Sequence, residues 1–483
     1  MAEERATFDL PEASNKEKLE QEKLLHEYEL KRKAKTIVVP TDDGKVKQML
    51  RQLKEPITLF GEKEMERRER LRRLLAQQEA ELAEAPAVGQ VVVTQLAPVQ
   101  TEKFYTEGSE ALKAARTSIA LWSLQRAAVR LAAAKRRRDD EETRMTATGQ
   151  RLSSQRQAKL LAQQSSEIGD ERPISSCQFS PEGTHLATCG WGGVVAVWAV
   201  EGGCSRTWAV RAHEERCTDV AWHPEAVQDS LGSTSLCLAS ASADASARLL
   251  DGGGKLLHKL EGHTERLARL AWHPMARHLG TASFDQTWRL WDVETGRCLL
   301  EQEGHSRAVY CLAFHPDGSL AASAGLDAIG RVWDCRTGRS VHTLEGHIKQ
   351  VLALDFSPNG YHLVSGSDDH TCKVWDLRSR KCLYTLPAHR SLISSCGYER
   401  CTGGAYLVTG GYDCLIKIWS SRDFSLLKTL AGHEGKVMAV DSSPAPGKHQ
   451  LASVSYDRTI KLWSPDSNLS EDAPKEADVD MQL

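Results

Sequence analysis

The sequence predicts a mainly β protein, a seven-bladed β-propeller preceded by an extended α-helical N-terminal arm. Three observations predict it. A histidine, usually preceded by glycine and followed downstream by an aspartate and in most copies a tryptophan, returns about every 42 residues over the last two thirds of the chain, and periods of that length mark radial or stacked repeats. Each unit divides into four short strand-like runs separated by turn residues, as one antiparallel blade requires. Upstream of about residue 160 the period vanishes and apolar residues take helical spacing instead.

The 483 residues are 41% hydrophobic and 26% charged with a net charge of -3, enough apolar material for a large core. All thirteen cysteines follow residue 176, an odd number without paired CxxC spacing. They read as reduced, mostly buried thiols of an intracellular protein, with no metal and no cofactor expected. Residues 1–19 lack the apolar stretch of a signal peptide and no run of about 18 apolar residues occurs, so the chain is expected to be neither secreted nor membrane-spanning.

Residues 1–79 read as a helical arm. A charged helix is expected over 14–34, and Thr41 or Asp42 can cap a second helix with Val46, Met49, Leu50 and Leu53 on one face. The stretch EPITLFGEKEMERRERLRRLL (55–75) runs from a Pro-led apolar hexamer into a third helix, supported by Glu64–Arg68, Glu66–Arg70 and Glu69–Arg73 at four-residue spacing. Its predicted role is docking: Leu59 and Phe60 as apolar anchors, with Arg67, Arg68, Arg70, Arg72 and Arg73 giving charge complementarity. A linker follows at 80–101, then a second helical segment at 102–155 in which Ser109 caps a helix presenting Leu112, Ala115, Ile119 and Trp122. Residues 31–75 and 103–138 each carry a local charge of +7. With too few helices to enclose a core, these segments are expected to order against a partner or against the propeller. KRKAK (31–35) and KRRR (135–138) read equally as import signals or as solvated helix faces.

The propeller is expected over 156–465, with a protease-resistant core from about residue 155 and a disordered tail at 466–483. The repeats EGHTERLARLAWHP, EGHSRAVYCLAFHP, EGHIKQVLALDFSP and AGHEGKVMAVDSSP superimpose without gaps. Their reading is a buried framework of His263, Asp285 and Trp291; His305, Asp327 and Trp333; His347, Asp369 and Trp375; His389, Asp413 and Trp419; and His433, Asp457 and Trp463. His213 and Asp244 start the series, with Leu250 where tryptophan would stand. Blade one has Asp170 for the histidine and Gly192 for the aspartate, and the last blade stops without a fourth strand, which LLAQQSSEIG (160–169) is expected to supply. Serine, histidine and aspartate together suggest a hydrolytic triad, but six copies argue for framework, because catalysis needs one exposed nucleophile at one site. Just before the turn aspartates stand Phe284, Tyr412 and Tyr456, with Trp191 at the matching place in blade one, and these aromatics are expected to form a partner-binding patch on the upper face. An aromatic there can also simply cover its own blade.

The repeats resemble the WD-repeat family of β-propellers. The stretch 55–75, together with YTEGSEALKAAR, IGDERPIS, WRLWD (288–292), FSPNGYHL (356–363), KTLAGHEGKVM and SYDRTIKLW, further resembles the WD-repeat subunits of the U4/U6 small nuclear ribonucleoprotein, over roughly residues 20–464. That resemblance implies a non-enzymatic nuclear scaffold of the U4/U6 and U4/U6.U5 particles acting in pre-mRNA splicing. It implies as partners a splicing factor that grips the U4/U6 duplex and other tri-snRNP proteins, with U4/U6 RNA contacted weakly or indirectly and no membrane. A nuclear cyclophilin joins the same subcomplex in the family, but the leader here is short and unlike the cyclophilin-binding tract of relatives, which leaves that partner open. The alternative class is a WD-repeat adaptor of a ubiquitin ligase or chromatin assembly, which fold alone does not separate.

Overall fold

The computed structural model describes residues 37, 39–40, 42–53, 55–57, 62–84, 109–226 and 236–466, and in the helix ending at Glu84 it describes side chains as far as Ala76. The helix expected over 14–34, the anchors Leu59 and Phe60, residues 85–101 of the linker, residues 227–235 and the tail from 467 lie outside the described residues. The chain divides into two compact units, Met1–Phe104 and Tyr105–Leu483.

In the first unit, Asp42 caps the helix Asp43–Gln52 by accepting the Gly44 N–H (3.0 Å). The helix Glu64–Glu84 begins where Glu66 reaches back to accept the Lys63 N–H (3.0 Å). The two pack through Val39, Val46, Leu50 and Leu71, with Met49, Leu53, Leu74 and Leu75 against them. This corrects the expectation that the arm encloses no core of its own. Apolar residues three and four apart on both helices form facing stripes, which is enough for a small cluster.

The second unit is a ring of seven four-stranded antiparallel sheets. Blade one is built from Ile174–Phe179, His185–Gly190, Val194–Ala199 and Ser205–Arg211. The same order repeats over 217–260, 267–302, 309–344, 351–387 and 393–431. In each blade the inner three strands are largely buried and the fourth is the more open to solvent, most of all in Lys381–Pro387. Small residues in second strands let neighbouring blades close in: a Cβ on Gly280 would lie 2.5 Å from Leu312 Cδ2 of the next blade. The seventh blade takes three strands from 437–465 and its fourth from Leu161–Ile168, which pairs antiparallel with Thr459–Pro465. The closing strand therefore stands where the incomplete last repeat predicts it, and it pairs an edge that would otherwise remain open.

Two helices, Glu110–Asp139 and Glu141–Leu160, precede that strand and belong to the same unit. Leu112, Ala115 and Ile119 are buried as the sequence predicts, with Ser123 in place of the half-buried Trp122. Ile119 joins the cluster of Trp288, Leu290 and Trp333, so these helices order against the propeller. Among the described residues no helix is long and apolar enough to cross a membrane.

Candidate functional site

The repeated polar residues assemble in every blade that carries them. In blade four the Trp333 Nε1–H donates to Ser323 Oγ (2.8 Å), whose hydroxyl meets His305 Nε2 (2.7 Å), while His305 Nδ1–H donates to Asp327 Oδ2 (2.8 Å). The same relay links Trp291, Thr281, His263 and Asp285 (2.9, 2.7 and 2.7 Å) and Trp375, Ser365, His347 and Asp369 (2.9, 2.7 and 2.8 Å). It recurs through Trp419, Thr409, His389 and Asp413 (3.0, 2.9 and 2.9 Å) and through Trp463, Ser453, His433 and Asp457 (2.8, 2.8 and 3.0 Å). Burial pushes His213, His347, His389 and His433 below their ordinary pKa, against the pull of their aspartates, so these rings are neutral. Burial would raise Asp369 and Asp457, but hydrogen bonds from Thr371 with His347, and from Thr459 with His433, hold both carboxyls down to about 2. The linking hydroxyls are buried and already hydrogen-bonded on both sides, unlike a nucleophile open to substrate. Blade one retains only the Trp198 Nε1–H to Thr188 bond (2.9 Å).

The upper face is set by the turns that carry those aspartates. The residue before each aspartate gives its N–H to the carbonyl just ahead of the blade's first strand, as in Trp191 to Pro173 (2.9 Å), Phe284 to Arg266 (3.1 Å), Tyr412 to Leu392 (3.0 Å) and Tyr456 to Lys436 (2.9 Å). The backbone thus presents the four aromatics in one register. Trp191 and Tyr456 meet edge to face across the ring closure at 5.6 Å, with Arg216 5.7 Å from the Trp191 ring. Lys436 lies 4.9 Å from the Tyr412 ring centroid. On the other side Arg266 stands 3.7 Å over Phe284, which faces Tyr310 at 6.3 Å. Tyr456 is 47% exposed and the others half-buried. Aromatic faces held beside cations present a surface for π-systems and carboxylates.

The lower face receives the two helices. Arg130 Nε donates to Asp317 Oδ2 (2.7 Å) and its Nη1 to the Asn359 carbonyl (3.2 Å), joining the first turns of blades four and five. Ser154 Oγ meets Thr402 Oγ1 (2.9 Å) and Gln155 Nε2–H donates to the Ala405 carbonyl (3.1 Å) in blade six. A cavity of about 690 Å³ along the axis is lined by Asp219, Arg269, Asp355, Arg400 and Asp441 among others. These carboxylates stitch blades together: Asp219 accepts the Leu270 N–H, Asp355 that of Tyr398, and Asp441 that of Phe179, each at 2.8 Å. Sequence reading missed all three. For Asp355 and Asp441 a signal exists, since each stands three residues before a proline, Pro358 and Pro444.

In the first unit the arginines divide. Arg67 is buried against Asp43 with Glu62 at 3.9 Å, and Arg70 Nε donates to Glu62 Oε1 (2.7 Å). Both therefore serve the helix pair itself, and Arg70 pairs with Glu62 rather than Glu66. Arg68 and Arg72 are half-buried, and Arg73 is exposed.

The family model described as pre-mRNA processing factor 4 (PRP4) like matches residues 46–74, and the WD domain, G-beta repeat model matches 163–199, 254–292, 296–334, 338–376, 380–420 and 424–464. The repeat left unmatched is the one that has Leu250 for tryptophan. Over 260 residues the chain is 47% identical to the U4/U6 small nuclear ribonucleoprotein PRP4-like protein of Arabidopsis thaliana, covering 53% of this chain and 45% of that protein. It is 46% identical over 223 residues to U4/U6 small nuclear ribonucleoprotein Prp4 of Mus musculus, covering 46% and 42%. To the Saccharomyces cerevisiae U4/U6 small nuclear ribonucleoprotein PRP4 it is 33% identical over 263 residues, covering 54% and 56%. The matched stretch spans less than half the length of the first two relatives. The repeats and the relatives' names both indicate a non-catalytic protein family.

Proposed function

From a chain that joins a PRP4-like segment to a propeller of WD40 repeats, we propose a non-enzymatic scaffold subunit of the U4/U6 and U4/U6.U5 small nuclear ribonucleoproteins, acting in pre-mRNA splicing in the nucleus. One observation carries the reading. The PRP4-like match at 46–74 falls on the packed helix pair of the first unit, so the segment that sets this chain apart from other WD40 propellers is a folded module with its own core.

Two surfaces then divide the work. The arm docks the splicing factor that grips the U4/U6 duplex, with Leu59 and Phe60 as anchors and Arg68, Arg72 and Arg73 as the charges left after Arg67 and Arg70 engage their own carboxylates. The upper-face aromatics Trp191, Tyr412, Tyr456 and Phe284 contact other tri-snRNP proteins, and any contact with U4/U6 RNA is weak or indirect. The test is affinity purification of the tagged full chain from nuclear extract, followed by probing for U4 and U6 RNAs. Co-recovery of both is the expected result. Recovery with ubiquitin-ligase or chromatin subunits and without either RNA would overturn the proposal.

A further inference from the structure

Three side chains from blades six and seven cluster on the lower face. Glu399 and Cys401 lie on the turn between Ile393–Tyr398 and Tyr406–Gly411, and His449 lies on the matching turn between Val437–Ser442 and Leu451–Ser455. One ligand atom from each falls within 4.8 Å of the others. Glu399 is fully buried, which a carboxylate tolerates only with partners. It is held by the N–H groups of Gly404 (3.2 Å) and Ala405 (3.0 Å) and the Thr402 hydroxyl (2.9 Å), all on Oε2. Among the described residues Oε1 accepts only from the Thr402 N–H and retains a lone pair. The Gly447 N–H donates to Cys401 Sγ (3.2 Å), which fixes the direction of the sulfur. The His449 ring, which supplies the third ligand atom, has its Nδ1 buried and without a hydrogen-bond partner among the described residues.

We propose that Glu399, Cys401 and His449 form a site for a divalent metal of the zinc class. A thiolate, an imidazole and a carboxylate are the donor set zinc takes, and three protein ligands leave a fourth position for water. On binding, the Cys401 thiol releases its proton to solvent as the sulfur–metal bond forms, and His449 contributes a ring-nitrogen lone pair. Nothing is oxidised or reduced. Two anionic ligands balance the dication, so the filled site is neutral, which suits a buried carboxylate. The metal clamps a turn of blade six to one of blade seven. The same blade-six turn seats the helix Glu141–Leu160 through Thr402 and Ala405, and that helix feeds the closing strand. Metal binding therefore stiffens the point where the ring closes.

The test uses the full chain, metal-stripped and kept reduced with a phosphine. Zinc is titrated in competition with a chromophoric chelator, and cobalt is used as a spectroscopic probe. Wild type should bind one zinc more tightly than Cys401→Ser and His449→Gln by about 10- to 100-fold or more, show a thiolate-to-cobalt charge-transfer band that Cys401→Ser lacks, and melt higher with zinc than without. Glu399 is left intact because it holds its turn together. Matching metal-free melting temperatures establish that each variant is folded, and either variant alone suffices. Equal zinc affinity in wild type and a folded variant, or a wild-type cobalt spectrum without the thiolate band, would overturn the site.

Discussion

Replacing Arg130 with alanine should free the helix Glu110–Asp139 from the lower face, and the structure sets the size of the effect. The two partners are buried unequally: the Asp317 side chain is 5% exposed and that of Arg130 20%. Removing the guanidinium strands a carboxylate whose nearest other titratable neighbour, His315 Nδ1 at 3.8 Å, accepts the Asp317 N–H and so offers it no proton. Burial lowers the His315 pKa as well, so the ring brings no charge. Breaking a buried pair from one side costs about 3–5 kcal/mol, and the partial exposure of Arg130 puts this case near about 3. Loss of the carbonyl bond to Asn359 and of the 5.0 Å stack on Tyr361 is included in that figure.

Asp317→Ala should cost less, about 1 kcal/mol, because the arginine it orphans can reach water. The double variant should cost about 2 kcal/mol, against about 4 for independent sites, a coupling of about 2 kcal/mol. The pair holds one helix to the propeller, so the measurement is native-state hydrogen exchange in residues 110–139, which reports the local opening of that helix. Arg130→Ala should speed exchange there by about 100-fold, following tenfold per about 1.4 kcal/mol. Exchange within about threefold of wild type, or a coupling below about 0.5 kcal/mol, would mean the pair is an ordinary surface ion pair and the docking argument fails.

Acid sensitivity follows from Asp369 and Asp457. Their folded pKa values are held down to about 2, so the stability they contribute is complete above the ordinary carboxyl pKa near 3.8 and lost as pH falls towards 2. With solvent screening discounted, each is worth about 1–2 kcal/mol; Asp369→Asn should melt below wild type at pH 7 and converge with it near pH 2, and a gap unchanged at pH 2 refutes the assignment. Trp191→Ala with Tyr456→Ser should reduce assembly into the larger particle by about 30-fold or more, as loss of an interface anchor does, while the melting temperature moves little because an edge-to-face pair adds only about 0.5–1.5 kcal/mol; retained assembly would assign both residues to blade cover alone. Within the arm, Arg67→Ala should loosen the helix pair by removing the buried guanidinium between Asp43 and Glu62, Asp43 keeping only Lys47, whereas Arg73→Ala should leave helicity intact and weaken only the salt-sensitive part of docking; equal loss of circular dichroism in both would show the division of roles to be wrong. Limited proteolysis should leave a resistant fragment starting near residue 105, not near 155 as the repeat alone predicts, and a stable fragment beginning at 155 would mean that the two helices are not part of the propeller unit.

What the sequence discloses here depends on how far apart in the chain the interacting groups lie relative to the repeat. His305, Ser323, Asp327 and Trp333 occupy one blade, recur at a fixed spacing and so are legible from period alone. The closing strand is legible for a related reason, because a ring of identical sheets with one strand missing needs that strand from outside the last repeat. Arg67 escapes the same reasoning. Four-residue spacing offers it no acid, since Lys63 and Leu71 stand there, and its carboxylate is Asp43, 24 residues back on another helix, brought near by the packing of Leu71 against Val46 and Leu50. Asp219 gives no signal either, since its acceptor role towards Leu270 exists only once blade three stands beside blade two. The same holds for Glu399, Cys401 and His449, which only the adjacency of two turns brings into one cluster. A repeat therefore specifies the frame through its constancies, and the residues that distinguish this propeller, Tyr412 and Tyr456 above and the Cys401 cluster below, sit where one unit departs from the next while the backbone register remains the same.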